Sequence, residues 1–244
     1  MENATSDTQM PIQDFEKASH SRFKGASWYG HQQDIVIGGA GGIGSWLSLM
    51  LARAGHSLYV YDFDDLEEHN LGGQLYSHSD VGQSKVEALA STIYNLSQES
   101  ISTYNEKYTK DNGIVSPVMF ACFDNMEARK VMFEKWLATC ALDGEPFKGC
   151  IFIDGRLNAE TAEIFCISES QHVKRWLTDW FPDEKVEDAP CTFKATSHCA
   201  AILAGMMVAC LNNFISNKFE GEERSVPYKT SIWLPTMMVK TEEL

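Results

Sequence analysis

Residues 34–44 read Asp34-Ile-Val-Ile-Gly38-Gly39-Ala40-Gly41-Gly42-Ile43-Gly44, and the chain's architecture turns on them. The first five are an apolar run too short for a helix and stopped by glycines, which predicts a buried strand over 34–38. From 43 to 54 the period changes, and Ile43, Trp46, Leu47, Met50, Leu51 and Ala54 share one helical face. Gly55 stops that helix, and Ser57-Leu-Tyr-Val-Tyr61 predicts a second strand. Strand, glycine turn, helix, strand is a βαβ unit, whose crossover is right-handed. Glycine permits close backbone approach. The helix start adds unpaired N–H groups and a positive dipole end, so Gly39, Gly41, Gly42 and Gly44 are candidate phosphate-binding positions. A turn that serves packing alone fits the same residues. Asp62 ends the second strand about 20 residues after the turn, where it and Asp64 offer carboxylates to ribose hydroxyls. NAD and ATP both satisfy this much.

Outward from that unit, helices are expected over 82–96, 127–141, 173–180 and 196–213. Strands are expected over 101–104, 115–121, 150–154 and 162–166, the last two flanking Gly155. A closing strand over 232–239 carries Pro235 as an edge marker, and 185–190 reads as an acidic loop. The alternation predicts an α/β, Rossmann-like fold: a mostly parallel sheet with helices on both faces and a mixed carboxyl-terminal part. Residues 1–33 are polar and lack periodicity, which suggests an arm whose second half docks on a single domain over 34–244.

The 244 residues, 44% of them hydrophobic, suffice for one full α/β domain. With 34 acidic and 20 basic residues the formal net charge is −14, which disfavours nucleic acid and anionic membrane surfaces as partners. The apolar run 200–211 is interrupted by Gly205 and falls short of a bilayer's ~30 Å, so it reads as a buried helix. No secretory signal is expected in the first thirty residues. The seven cysteines are odd in number and include no Cys-x-x-Cys pair, which favours a reduced, cytoplasmic compartment.

Further blocks follow in order: Asn70-Leu71-Gly72-Gly73-Gln74, Gly82-Gln83-Ser84-Lys85, and Asp124-Asn125-Met126-Glu127-Ala128-Arg129. With the glycine turn and the Asp62-x-Asp64 strand end, these resemble the ThiF/MoeB/HesA family of adenylating enzymes related to ubiquitin-activating enzymes. The resemblance runs over about 35–213. It implies ATP as cosubstrate and activation of a carboxylate as an acyl-adenylate, with pyrophosphate leaving. It implies that Lys85 contacts phosphates, that Asp124 holds Mg²⁺, and that Asn70, Gln74 and Asn125 orient the nucleotide. Read without it, Lys85 is a surface lysine and Asp124 a helix N-cap. The partners it implies are a small, ubiquitin-like carrier protein ending in glycine and a second copy in a homodimer.

Two departures qualify the match, and a third site adds to it. Gly73 stands where the family pattern has arginine, and an arginine lost from a phosphoryl centre costs ~10³-fold or more. Arg156, placed just after a strand, and Arg22, in a setting resembling the family's amino-terminal arginine that enters the partner's site, are candidate substitutes. The zinc cysteine pair is missing. Cys191, in Pro190-Cys191-Thr192, resembles the family's conjugating cysteine, and a thiolate there, favoured by the helix start or by Lys194 or His198, would take the acyl group as a thioester. As a plain loop thiol it would be inert. Cys122, Cys140, Cys150, Cys166, Cys199 and Cys210 read as packing residues. The alternatives are a nucleotide-binding pseudoenzyme or adaptor of the same fold and an NAD-dependent oxidoreductase, which the glycine turn and Asp62 alone support.

Overall fold

The computed structural model of the chain describes residues 20, 22–140, 147–182 and 196–244. Eight strands among them form one sheet: β1 (Asp34–Gly38), β2 (Ser57–Tyr61), β3 (Ser102–Tyr104), β4 (Val118–Ala121), β5 (Ile151–Asn158), β6 (Thr161–Ile167), β7 (Lys229–Trp233) and β8 (Met238–Glu242). Their order is β3-β2-β1-β4-β5-β6-β7-β8. The first five run parallel, with Ile37 beside Val60 on one side and Phe120 on the other. The last three join antiparallel. The α/β, mostly parallel architecture with a mixed carboxyl-terminal part is as expected from the sequence.

Alternation along each strand assigns the two faces. Ile35, Ile37, Val118, Phe120, Ile151 and Ile153 meet helices α1 (Gly42–Arg53), α2 (Lys85–Ser97) and α5 (Ser197–Glu220). Val36, Met119, Ala121 and Phe152 meet α3 (Met126–Cys140) and α4 (Ser170–Asp179), where Phe133 stacks on Trp176 at 4.1 Å. Both faces are thus covered, and the two apolar layers are separate. The six described cysteines are all buried, as packing residues.

Three expectations need correction. Strand β5 does not stop at Gly155 but runs through it to Asn158, because the hairpin with β6 keeps pairing from Asp154↔Phe165 to Asn158↔Thr161. The single closing strand is two strands, with Pro235 in the short 3-10 turn Leu234–Thr236 between them and Met237 at φ 53° completing the reversal. Helix α5 continues beyond the expected end to Glu220, where Gly221 at φ +65° terminates it. At 24 residues, with an 18-residue window of mean hydropathy 1.7, it is long and apolar enough to cross a membrane by length and composition. Packing decides otherwise: Cys199, Leu203, Met207, Leu211 and Ile215 are buried against the same layer as Leu47 and Leu51 of α1.

The described part of the amino-terminal arm rests on α5. Ser27 Oγ donates to Ser216 Oγ at 2.8 Å, and His31 stacks on Phe219 with its Nε2 2.9 Å from Glu220 Oε1. The acidic loop expected over 185–190, Cys191 and Lys194 lie outside the described residues.

Candidate nucleotide site

Strands β2, β1 and β4 lie side by side and end at one edge, and β1 is where the chain's path across the sheet reverses, the usual ligand crevice of such sheets. The glycine turn sits there. Gly44 Cα lies so near the turn that a Cβ would fall 1.8 Å from Gly39 O, so glycine is required for the turn to close on the helix. Gly41 is the opposite case: a Cβ would meet nothing nearer than Gln74 Nε2 at 3.9 Å. Gly41 is also the N-cap of α1, and no side chain caps that helix, so its first N–H groups retain their hydrogen-bonding capacity. An uncapped helix start beside open space suits phosphate oxygens.

Asp62 shapes this turn. Its Oδ2 accepts from Ala40 N–H at 2.7 Å and its Oδ1 from Asp64 N–H at 2.9 Å. Burial pushes its carboxyl above the usual range, against the pull of those two N–H groups and of Lys85. Lys85 opens α2 behind the N-cap Ser84, and its largely buried Nζ lies 2.7 Å from Asp64 Oδ2. Asp64 is therefore engaged by Lys85.

The Asn70 loop folds as a 3-10 turn, and Asn70 Oδ1 accepts from Glu67 N–H at 2.9 Å, a local cap. Gln74 Oε1 is buried without a hydrogen-bond partner, next to the open side of Gly41. Gly73 is buried, and its carbonyl accepts from Trp46 Nε1 at 3.2 Å. At the end of β4, Asp124 is exposed. The cap of α3 is Asn125, whose Oδ1 accepts from Ala128 N–H at 2.8 Å and whose Nδ2 meets Asp124 Oδ1 at 3.3 Å. The capping reading of Asp124 thus passes to its neighbour, and the Asp124 carboxylate faces solvent. A magnesium ion carried in with phosphates needs only one or two protein carboxylates, and the donors present fit one. Among the described residues no group of three His, Cys, Asp or Glu forms a cage of its own.

Of the two candidate substitute arginines, Arg156 is already paired within the chain. Arg156 lies inside β5, not after it, with Nε 2.9 Å and Nη2 2.8 Å from Asp154 Oδ2 and its guanidinium over the Phe165 ring. It is committed to that buried carboxylate. Arg22 is exposed on the arm beside Phe23, which shares a cleft with Arg53 and 95–99, at the amino ends of the strands and so on the opposite edge from the glycine turn. His198 is exposed at the start of α5, 3.7 Å from Glu160 Oε1.

Sequence reasoning missed Arg129. Its Nη1 donates to Ala121 O at 3.1 Å, to Gly155 O at 2.8 Å and to Asp154 Oδ1, and its Nη2 donates to Phe123 O, binding the ends of β4 and β5 together. Trp176 Nε1 donates to the same carboxylate at 3.0 Å. Burial alone would raise the Asp154 carboxyl, but the two guanidiniums outweigh it and hold it below the usual range. The signal was available, because Arg129, Met132, Phe133 and Trp136 occupy one inward stripe of α3.

The model of the ThiF family matches residues 30–243. The chain belongs to the ThiF family. It is 30% identical over 115 residues to ubiquitin-like modifier-activating enzyme 5 of Bombyx mori, covering 40% of this chain and 29% of that one. To the protein of the same name from Aedes aegypti it is 33% identical over 116 residues, 40% of this chain and 29% of the other. The matched stretch thus spans less than a third of these relatives. This ThiF-family chain also superposes on E. coli MccB solved with ATP, at a TM-score of 0.64 and 17% identity, covering 89% of this chain and 64% of that one. PaaA gives a TM-score of 0.64 at 18% identity over 87% and 64%. At such identities the likeness is one of fold.

Proposed function

We propose that this chain is an ATP- and Mg²⁺-dependent adenylyltransferase that activates the carboxyl-terminal carboxylate of a small carrier polypeptide ending in glycine, as a cytoplasmic homodimer. One observation carries the reading: a single sheet edge gathers an uncapped helix start, open space at Gly41, the ammonium of Lys85 and an exposed Asp124 carboxylate. Bound ATP·Mg²⁺ supplies the phosphorus that the carrier's carboxylate attacks, with pyrophosphate as leaving group. In this reading the first N–H groups of α1 hold phosphate oxygens, and Asp62 keeps the turn in shape while offering its remaining lone pairs to ribose. Lys85 shares its charge between Asp64 and the phosphates, Asp124 holds the metal, and Gln74 Oε1 accepts a hydrogen bond that burial otherwise denies it. Cys191 then takes the acyl group: an Sγ–acyl bond forms and AMP leaves.

The test is isotope exchange of pyrophosphate into ATP with candidate glycine-tailed carriers. Exchange that disappears in Lys85→Ala and Asp124→Ala supports the proposal, and a DTT-sensitive adduct absent from Cys191→Ala supports the thioester step. A wild type that binds neither ATP nor magnesium removes the proposal. The second reading, a nucleotide-binding adaptor, is favoured by Gly73 together with the engagement of Arg156 by Asp154. It predicts Mg·ATP binding without exchange for any carrier.

A further inference from the structure

The loop that departs from the family pattern at Gly73 is fastened to the glycine turn at three points. Trp46 Nε1–H reaches Gly73 O at 3.2 Å, Leu75 N–H donates to Ser45 Oγ at 3.0 Å, and the Tyr76 hydroxyl lies 2.6 Å from Ala40 O and 3.2 Å from Lys85 O. The first two bonds anchor the loop on the opening turn of α1. The third crosses the site. We infer that Tyr76 is a positioning residue of the nucleotide site: its hydroxyl fixes the Ala40–Gly41 peptide so that the Gly41 N–H faces the phosphate cradle, an inference that rests on the nucleotide reading above.

The argument is one of peptide geometry. The peptide bond is planar and trans, so its C=O and N–H point in opposite directions. Tyr76 draws the Ala40 carbonyl to its own side, which turns the Gly41 N–H of the same peptide to the opposite side. The preceding peptide is held separately, since Ala40 N–H is donated to Asp62. Two side chains therefore set two successive peptides. Glycine at position 41 makes a flip of the second peptide sterically cheap, so its orientation depends on a partner, and Tyr76 is that partner. The second acceptor, Lys85 O, brings the start of α2 into the same three-centre bond and ties the lysine-bearing helix to the turn. Burial, with the charges of Asp62 and Asp80 adding to it, pushes the phenol far above its ordinary range, so the hydroxyl remains a donor throughout the working pH range.

The experiment compares Tyr76→Phe with Tyr228→Phe. Tyr228 is a fully buried tyrosine at the other side of the sheet, whose hydroxyl donates to Asp179 Oδ2 at 2.8 Å. Calorimetry measures Mg·ATP affinity, and amide hydrogen exchange reports on Gly39 and Ala40, whose N–H groups are donated to Tyr61 O and Asp62. The expected result for Tyr76→Phe is about tenfold weaker Mg·ATP binding, the usual worth of one hydrogen bond, with about tenfold faster exchange at Gly39 and Ala40. Tyr228→Phe lowers the melting temperature and leaves both readouts unchanged. Unaltered affinity in Tyr76→Phe, unaltered exchange at Gly39 and Ala40, or an equal loss of affinity in Tyr228→Phe overturns the inference. A wild type that fails to bind Mg·ATP overturns the nucleotide reading itself and this inference with it, and is seen before any variant is compared.

Discussion

Asp154 on β5 and Asp124 at the end of β4 belong to neighbouring strands and lead opposite lives. Asp154 is fully buried and holds two guanidiniums and an indole, while Asp124 is exposed and meets the Asn125 amide. The same division runs through the halves of the sheet. On the antiparallel side the charges close on one another: Tyr228 and Arg175 on Asp179, Lys229 on Glu163 at 2.7 Å. At the carboxyl edge of the parallel side the helix start is uncapped, Gln74 Oε1 lacks a partner and Asp124 faces solvent. Charges satisfied internally fix shape, and groups left with unused hydrogen-bonding capacity have something to offer a ligand.

The comparison breaks most sharply at Asp154. Its replacement by alanine leaves two buried guanidiniums unmatched and should cost about 3–5 kcal/mol. A loss under 1 kcal/mol in urea unfolding would show that the pairs are dispensable. Asp124→Ala is the mirror image: unfolding free energy within about 0.5 kcal/mol of wild type, but magnesium-dependent nucleotide affinity or exchange reduced about 100-fold. Equal losses of stability and binding would erase the contrast.

Acid should separate buried His56 from buried Asp154 as well. His56, between α1 and β2, is buried, and burial lowers its pKa to about 4. The folded state then binds fewer protons than the unfolded state below the ordinary histidine value. The stability contributed by neutral His56 is present above that value and lost as pH falls toward 4, about 2 kcal/mol of it between pH 7.5 and pH 5. Asp154, held low, contributes above the ordinary carboxylate pKa and gives way only as pH falls through its lowered value. Melts of His56→Asn should therefore show a smaller drop over pH 7.5–5 than wild type, and an unchanged drop would put the acid sensitivity elsewhere. The smallest expected effect is at Gly41. An alanine Cβ there has room in the fold but stands in the proposed cradle, so Mg·ATP should bind about tenfold more weakly at unchanged stability. Calorimetry beside a melt checks both.

The parallel side was legible because its signals are local. The change from an apolar run to 3.6-residue spacing at the glycine turn marks β1 and α1, and β2 runs over the expected 57–61. The errors arise where spatial pairing overrides local punctuation. Gly155 reads as a stop, yet β6 holds the ladder through it. Arg156 reads as a candidate site arginine just after the strand, although Asp154 lies two residues earlier on the same strand face and pairs with it. The cap of α3 falls on Asn125 instead of Asp124, a one-residue difference that pattern does not resolve. Tyr76 leaves no local mark, since Ala40 is 36 residues away in sequence.

Helix α5 has a consequence for how the protein is made. It is the last helix of the layer that also contains α1 and α2, and it spans about 36 Å at the usual rise per residue. Until the ribosome has extruded it, the surface formed by Ile37, Leu47, Leu51 and Ile153 has no lid, and a nascent chain arrested near residue 196 is expected to leave that apolar surface exposed.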